Sequence, residues 1–92
     1  MADIEITEAT VTAGRIERLQ VRFHGAAPRT IGRDVALAWA RDGHSLIPVA
    51  GHGHDVARGS VLTVVEVGED VFLRTDTRVE ALDLVTFPGE HG

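Results

Sequence analysis

Residues 60 to 87 read SVLTVVEVGEDVFLRTDTRVEALDLVTF, and this stretch decides the fold class. β-Branched residues concentrate between Val61 and Val67, and turn residues follow at Gly68-Glu69-Asp70 and again at Asp76-Thr77. Three strands in close succession are expected: Val61 to Val67, Asp70 to Thr75, and Val79 to Phe87. Val61, Thr63, Val65 and Val67 fall on one face of the first of these and Leu62 and Val64 on the other. That double apolar character predicts a central strand covered on both sides. In the last run, Val79, Ala81, Val85 and Phe87 share a side that Asp83 interrupts, so the alternation leaves open which face is inside. A meander of this kind is not stable alone and needs the rest of the chain to cover it.

Working back toward the N-terminus, Ile4 to Val11 reads as a first strand and Arg15 to Phe23 as a second, joined by a turn at Ala13-Gly14. Leu19, Val21 and Phe23 share one face of the second strand, while Arg18, Gln20 and Arg22 share the other. Ile16 is out of phase with its apolar partners, and a bulge near Glu17-Arg18 restores it. After HGAAPR, Thr30 is expected to cap a helix from about Ile31 to Asp42, with Asp34 near its positive end, Arg41 in its last turn and Gly43 as a left-handed terminator. Its core stripe is read as Ile31, Val35, Ala38 and Trp39, with Leu37 falling off that stripe as surplus apolar surface. Ser45 to Ala50 is a short strand in which Pro48 withholds a ladder donor, the mark of an edge or a sharp bend.

The order β-β-α-β-β-β-β predicts an α+β domain with one helix on a strongly bent or partly closed antiparallel sheet of about six strands. Strand number and length liken part of it to an SH3-like barrel. One domain over residues 1–92 is expected, with 88–92 a mobile tail. A hydrophobic fraction of 43% at net charge -5 indicates a folded chain, and the 4% aromatic content leaves the core to aliphatic packing. The absence of cysteine excludes disulfides and thiolate metal sites. The acidic first residues and the lack of any apolar run of about 20 residues predict a soluble, cytoplasmic protein without a membrane partner.

Charge is unevenly spread. All nine basic residues are Arg, and residues 15–58 carry +3 while residues 1–14 carry -3 and residues 59–92 carry -5. Such a dipolar distribution suits orientation of a protein partner. A nucleic-acid interface would have to use Arg15, Arg18, Arg22, Arg29 and Arg33, but the acidic balance and the absence of interleaved aromatics argue against it. His44, His52, His54 and Asp55 form the sharpest local cluster, a candidate zinc or other divalent transition-metal site that would support hydrolase or lyase chemistry, with Arg58 beside it as an anion contact. The GHGHDV fragment lacks the third glycine and following helix of a dinucleotide fingerprint, and no Walker loop, nucleophile elbow or HExxH pattern is present.

The expected function is therefore a noncatalytic protein-interaction, adaptor or assembly subunit that needs no cofactor. Its partner is another protein or a second copy of itself, and the expected surface includes Arg18, Arg22 and Leu37.

Overall fold

The computed structural model of the chain describes residues 2–23, 26–51 and 56–89. β1 (Asp3–Thr12) and β2 (Arg15–Phe23) form an antiparallel hairpin. Its two turn residues, Ala13 and Gly14, both have positive φ, 53° and 76°. That handedness matches the twist of the two strands, as a two-residue hairpin requires. Two bulges interrupt the pairing. Thr7 is the extra residue between the Ile6–Val21 and Glu8–Gln20 pairs, and Glu17 is the extra residue between Thr10–Arg18 and Val11–Ile16. The second bulge lies where the phase of Ile16 predicts one, and it places Ile16 in the core with Leu19 and Val21.

β3 (Arg29–Gly32) pairs with β2, and α1 (Arg33–Arg41) follows directly. β4 (Ser45–Ala50) runs parallel to β1, and β5 (Ala57–Arg58) pairs briefly with its far side. The five-stranded sheet has the order β3-β2-β1-β4-β5. β6 (Thr63–Val67) and β7 (Asp70–Arg74) form a separate two-stranded antiparallel sheet. The architecture is therefore α+β with one helix, but the larger sheet is mixed and there is no closed barrel among the described residues. The parallel pair has a simple cause. The helix carries the chain back across the sheet, and β4 then enters beside β1 through the Ser45 N–H donating to the Ala2 carbonyl. Pro48 is correspondingly not on an open edge. Its carbonyl accepts from the Gly59 N–H at 2.7 Å, and the Leu46 carbonyl accepts from Leu62 at 2.8 Å.

The helix starts two residues later than predicted because Thr30 and Ile31 pair with Gln20 and Leu19. Gly32, not Thr30, is the N-cap, and it supplies no side-chain bond. At the other end the His44 N–H donates to Trp39 and the Gly43 N–H to Ala40, the paired bonds of a Schellman terminator with Gly43 at φ 92°. The buried stripe also differs from the expected one. Ala36 is fully buried, with Leu37, Trp39 and Ala40 packed against the core, whereas Val35 is 40% exposed. Arg33, Ala36, Leu37 and Ala40 follow the spacing of one helix face, and the small alanines let that face lie close to the sheet. Leu37 is thus part of the packing and not a free apolar edge.

One core cluster joins the inner face of the large sheet (Ile4, Ile6, Leu19, Val21, Leu46) to Ala36, Leu62 and Leu73. β6 is not doubly covered: none of Thr63 to Val67 is fully buried and Glu66 is exposed, while of the two residues before it Leu62 is buried and Val61 is 39% exposed. The run from Val79 to Phe87 is not a strand. It touches the smaller sheet through a single bridge, Leu84 to Arg74, and is held by a few backbone hydrogen bonds around Asp83 and Leu84 together with side chains.

Asp83 makes that hold. Only 2% exposed, it accepts from the Ile16 N–H at 2.8 Å, from the Leu73 N–H at 2.9 Å, and from Arg33 Nε and Nη2 at 2.7 and 3.2 Å. Arg33 also donates to the Val71 carbonyl at 2.6 Å. Beside it Arg74, likewise 2% exposed, donates to Asp76 through Nε and Nη2 and to the Leu82 carbonyl through Nη1. Burial opposes ionisation of Asp83, but the hydrogen bonds from Arg33, Ile16 and Leu73 outweigh it and hold the carboxyl below its ordinary value.

Replacing Asp83 with Asn removes the charge opposite a largely buried guanidinium and turns one acceptor into a donor facing N–H groups. The expected loss is about 3 kcal/mol or more of unfolding free energy in urea titration. Because the folded carboxyl titrates below its unfolded value near 4, the contribution of Asp83 is fully present above that pH and lost as pH falls through the folded value. The wild-type protein should accordingly lose more stability than D83N as the urea midpoint is followed below pH 4.

Candidate functional site

The core takes one face of the large sheet, and the alternate residues of the same strands form the other. Across the hairpin Glu5 stands beside Arg22, Glu8 beside Gln20, and Thr10 beside Arg18. None of these six side chains is buried. Thr30 of β3 extends the face on one side, and Ile47 of β4, paired with Glu5, extends it on the other. The result is a polar sheet face with carboxylates in one row on β1 and guanidinium groups in the next row on β2.

The face is ordered by its own contacts. Arg22 donates through Nε and Nη2 to Oε1 of Glu5 at 2.9 and 2.7 Å. The Thr7 hydroxyl donates to the Gln20 carbonyl at 3.2 Å, tying the bulge to β2. Asp3 and Arg58 approach to 3.4 Å at the β5 end. Arg18 reaches only Glu17, at 3.8 Å with both side chains more than half exposed, and Glu8 makes no ion pair among the described residues. An open groove of about 800 Å³ borders the face, lined by Glu8, Gln20 and Arg22 together with Val49, Phe87 and Pro88.

Arg18 and Arg22 therefore share a surface, as their even spacing predicts, but Leu37 does not join them. It lies across the sheet, on the core side. The arginines proposed for nucleic acid are dispersed in role. Arg15 stacks over the Phe72 ring at 4.8 Å, Arg22 pairs with Glu5 and Arg33 is committed to Asp83. Among the described residues no aromatic side chain lies in the register of the outer face, Phe87 only lining the groove at its border; Phe23 and Trp39 pack edge to face at 5.6 Å beside the core.

His44 is half-buried, and its Nδ1 accepts a hydrogen bond from the Ala2 N–H at 3.1 Å. His52, His54 and Asp55 lie outside the described residues. Among the described residues no group of three metal-ligating side chains comes together. Arg58, expected as an anion contact, faces Asp3.

Two features escaped sequence reasoning. The acidic row beside Arg18 and Arg22 follows from the hairpin register: a two-residue turn at Ala13-Gly14 places Glu5 opposite Arg22 by simple counting. Asp83 carried a signal too, since an acid inside an apolar run is either a break or a buried, bonded group.

Comparison with family models, curated proteins and solved structures finds no match. No described helix is long and apolar enough to cross a membrane.

The face contributes little to holding the fold. Replacing both Arg18 and Arg22 with Ala should change unfolding free energy by less than about 1 kcal/mol, because each pairs only at the surface. Thermal denaturation with circular dichroism checks this, and it separates the outer face from the Arg33–Asp83 contact beneath the sheet.

Proposed function

We propose that the protein is a small noncatalytic interaction module, an adaptor or assembly subunit, that binds a protein partner through the outer face of its five-stranded sheet. The supporting observation is the uncovered face itself. The helix and the second sheet join the core on the inner side, while the longest two strands leave Glu5, Glu8, Arg18, Gln20 and Arg22 accessible on the other. Antiparallel sheets tolerate one solvated face, so exposure alone is ordinary. The rows of opposite charge are less so. They give the surface direction and register, which is what charge contributes to recognition. The Glu5–Arg22 pair is already formed, so little side-chain entropy remains to be lost there on docking.

The balanced sign of the face favours a protein over a polyanion. A phosphate backbone would meet Glu5 and Glu8 wherever it met Arg22 and Arg18.

A photoreactive phenylalanine analogue placed at Gln20 on the outer face, and separately at Val35 on the exposed side of the helix, tests this in cells of the source organism. Cross-linking to a discrete protein from position 20 and not from position 35 is the expected result. Equal labelling from both positions, or none from position 20, overturns the assignment of the face.

A further inference from the structure

We propose that the occupant of the outer face is a second copy of this chain, docked face to face about a twofold axis that runs parallel to β1 and β2 and lies above the line between them. The inference rests on the interaction reading just given and names its partner. A rotation about such an axis exchanges left and right but preserves height along the strands. It therefore sets β1 of each copy over β2 of the other, as a self-complementary interface demands.

The side chains match under that operation. Glu5 and Arg22 stand at the same height because they are paired across the hairpin. In the dimer each Arg22 meets its own Glu5 and the Glu5 of the second copy, so four charges alternate in a ring. Glu8 and Arg18 lie two register positions apart on neighbouring strands, at Glu8–Gln20 and Thr10–Arg18 with the inward Ala9–Leu19 pair between them. Within one chain Arg18 has only a distant, exposed partner in Glu17, and Glu8 has no ion pair among the described residues. Across the interface the long Arg18 side chain comes within reach of the opposing Glu8, and the same contact forms twice. No other axis direction in the plane of the face places the acidic row over the basic row throughout.

The surface is large enough for a modest complex. The five strands, of 10, 9, 4, 6 and 2 residues at about 3.3 Å per residue and about 4.8 Å between strands, give roughly 500 Å² of face per copy, the size of a weak, concentration-dependent interface. With charged pairs at its centre, the association should weaken as salt rises.

Sedimentation velocity on the full chain at about 100 μM, in low and then high salt, reads the state directly. A dimer that dissociates with added salt is expected. Two variants then test the register. In E5R/E8R both rows are basic, and in R18E/R22E both are acidic. Each alone should form a dimer at least about 100-fold weaker than the wild type, and an equimolar mixture should restore a heterodimer, since basic rows then face acidic rows on both strands. Circular dichroism confirms that both variants are folded. Should either double variant fail to fold, E8R with R18E supplies the same test without touching the Glu5–Arg22 pair.

A wild-type chain that stays monomeric at every salt concentration overturns the proposal, as does undiminished dimerisation of the variants or a folded mixture that remains monomeric. If the chain is monomeric while position 20 still cross-links selectively to a different protein, the second copy is removed as occupant and the interaction reading stands. If selective cross-linking is lost as well, both fall.

Discussion

The fold depends on a buried carboxylate that four parts of the chain share. Asp83 lies in a segment with only one isolated bridge, yet it takes the Ile16 N–H at the start of β2, the Leu73 N–H in β7 and the guanidinium of Arg33 in the first turn of α1. A carboxylate is suited to this position because it has only acceptor sites, and all the groups around it are donors. Removing it from water is costly, and these bonds offset that cost. The geometry explains why an apolar run such as Val79 to Phe87 gives up regular strand pairing: its backbone meets the hairpin turn on one side and β7 on the other. The Asp83 N–H donates to the Gly14 carbonyl, and the Leu84 N–H to Leu73.

The same contact sets the pose of the helix. Arg33 can reach Asp83 only if the first turn of α1 presents that residue inward, and this brings Ala36, Leu37 and Ala40 to the core while turning Val35 outward. The pose exchanges Val35 for Leu37 on the packed face, so apolar burial and the ion pair favour the same rotation, and two alanines are small enough for close approach. Arg74 reinforces the arrangement from the next residue along β7, and its bonds to Asp76 hold that carboxyl below its ordinary value.

Placing the helix and the second sheet on one side has a consequence for the other. The large sheet is finished on its inner face by aliphatic packing and on its outer face by side chains that pair along the surface. Structural demand and surface chemistry are thereby separated by the thickness of one sheet. Changes at Glu5, Glu8, Arg18 or Arg22 alter what the surface can meet without reaching the core. Changes at Arg33 or Asp83 reach α1, β2 and β7 at once.

Local pattern was sufficient wherever a rule of short range applied. The alternation of Leu19, Val21 and Phe23 against Arg18, Gln20 and Arg22, the bulge that returns Ile16 to phase, the Ala13-Gly14 turn and the Gly43 terminator all depend on residues within a few positions of one another, and each was legible in the sequence. So was the sharing of one face by Arg18 and Arg22. Tertiary structure decided what involves distant partners. It drew Thr30 and Ile31 into a strand against β2, ran β4 parallel to β1, rotated the helix so that Leu37 packs inward, and replaced the expected final strand by the bonds of Asp83. The deciding partners lie outside the local window, 10 and 12 residues away for Thr30 and Ile31 and 50 residues away for Arg33 and Asp83. No periodicity within either segment records the presence of the other.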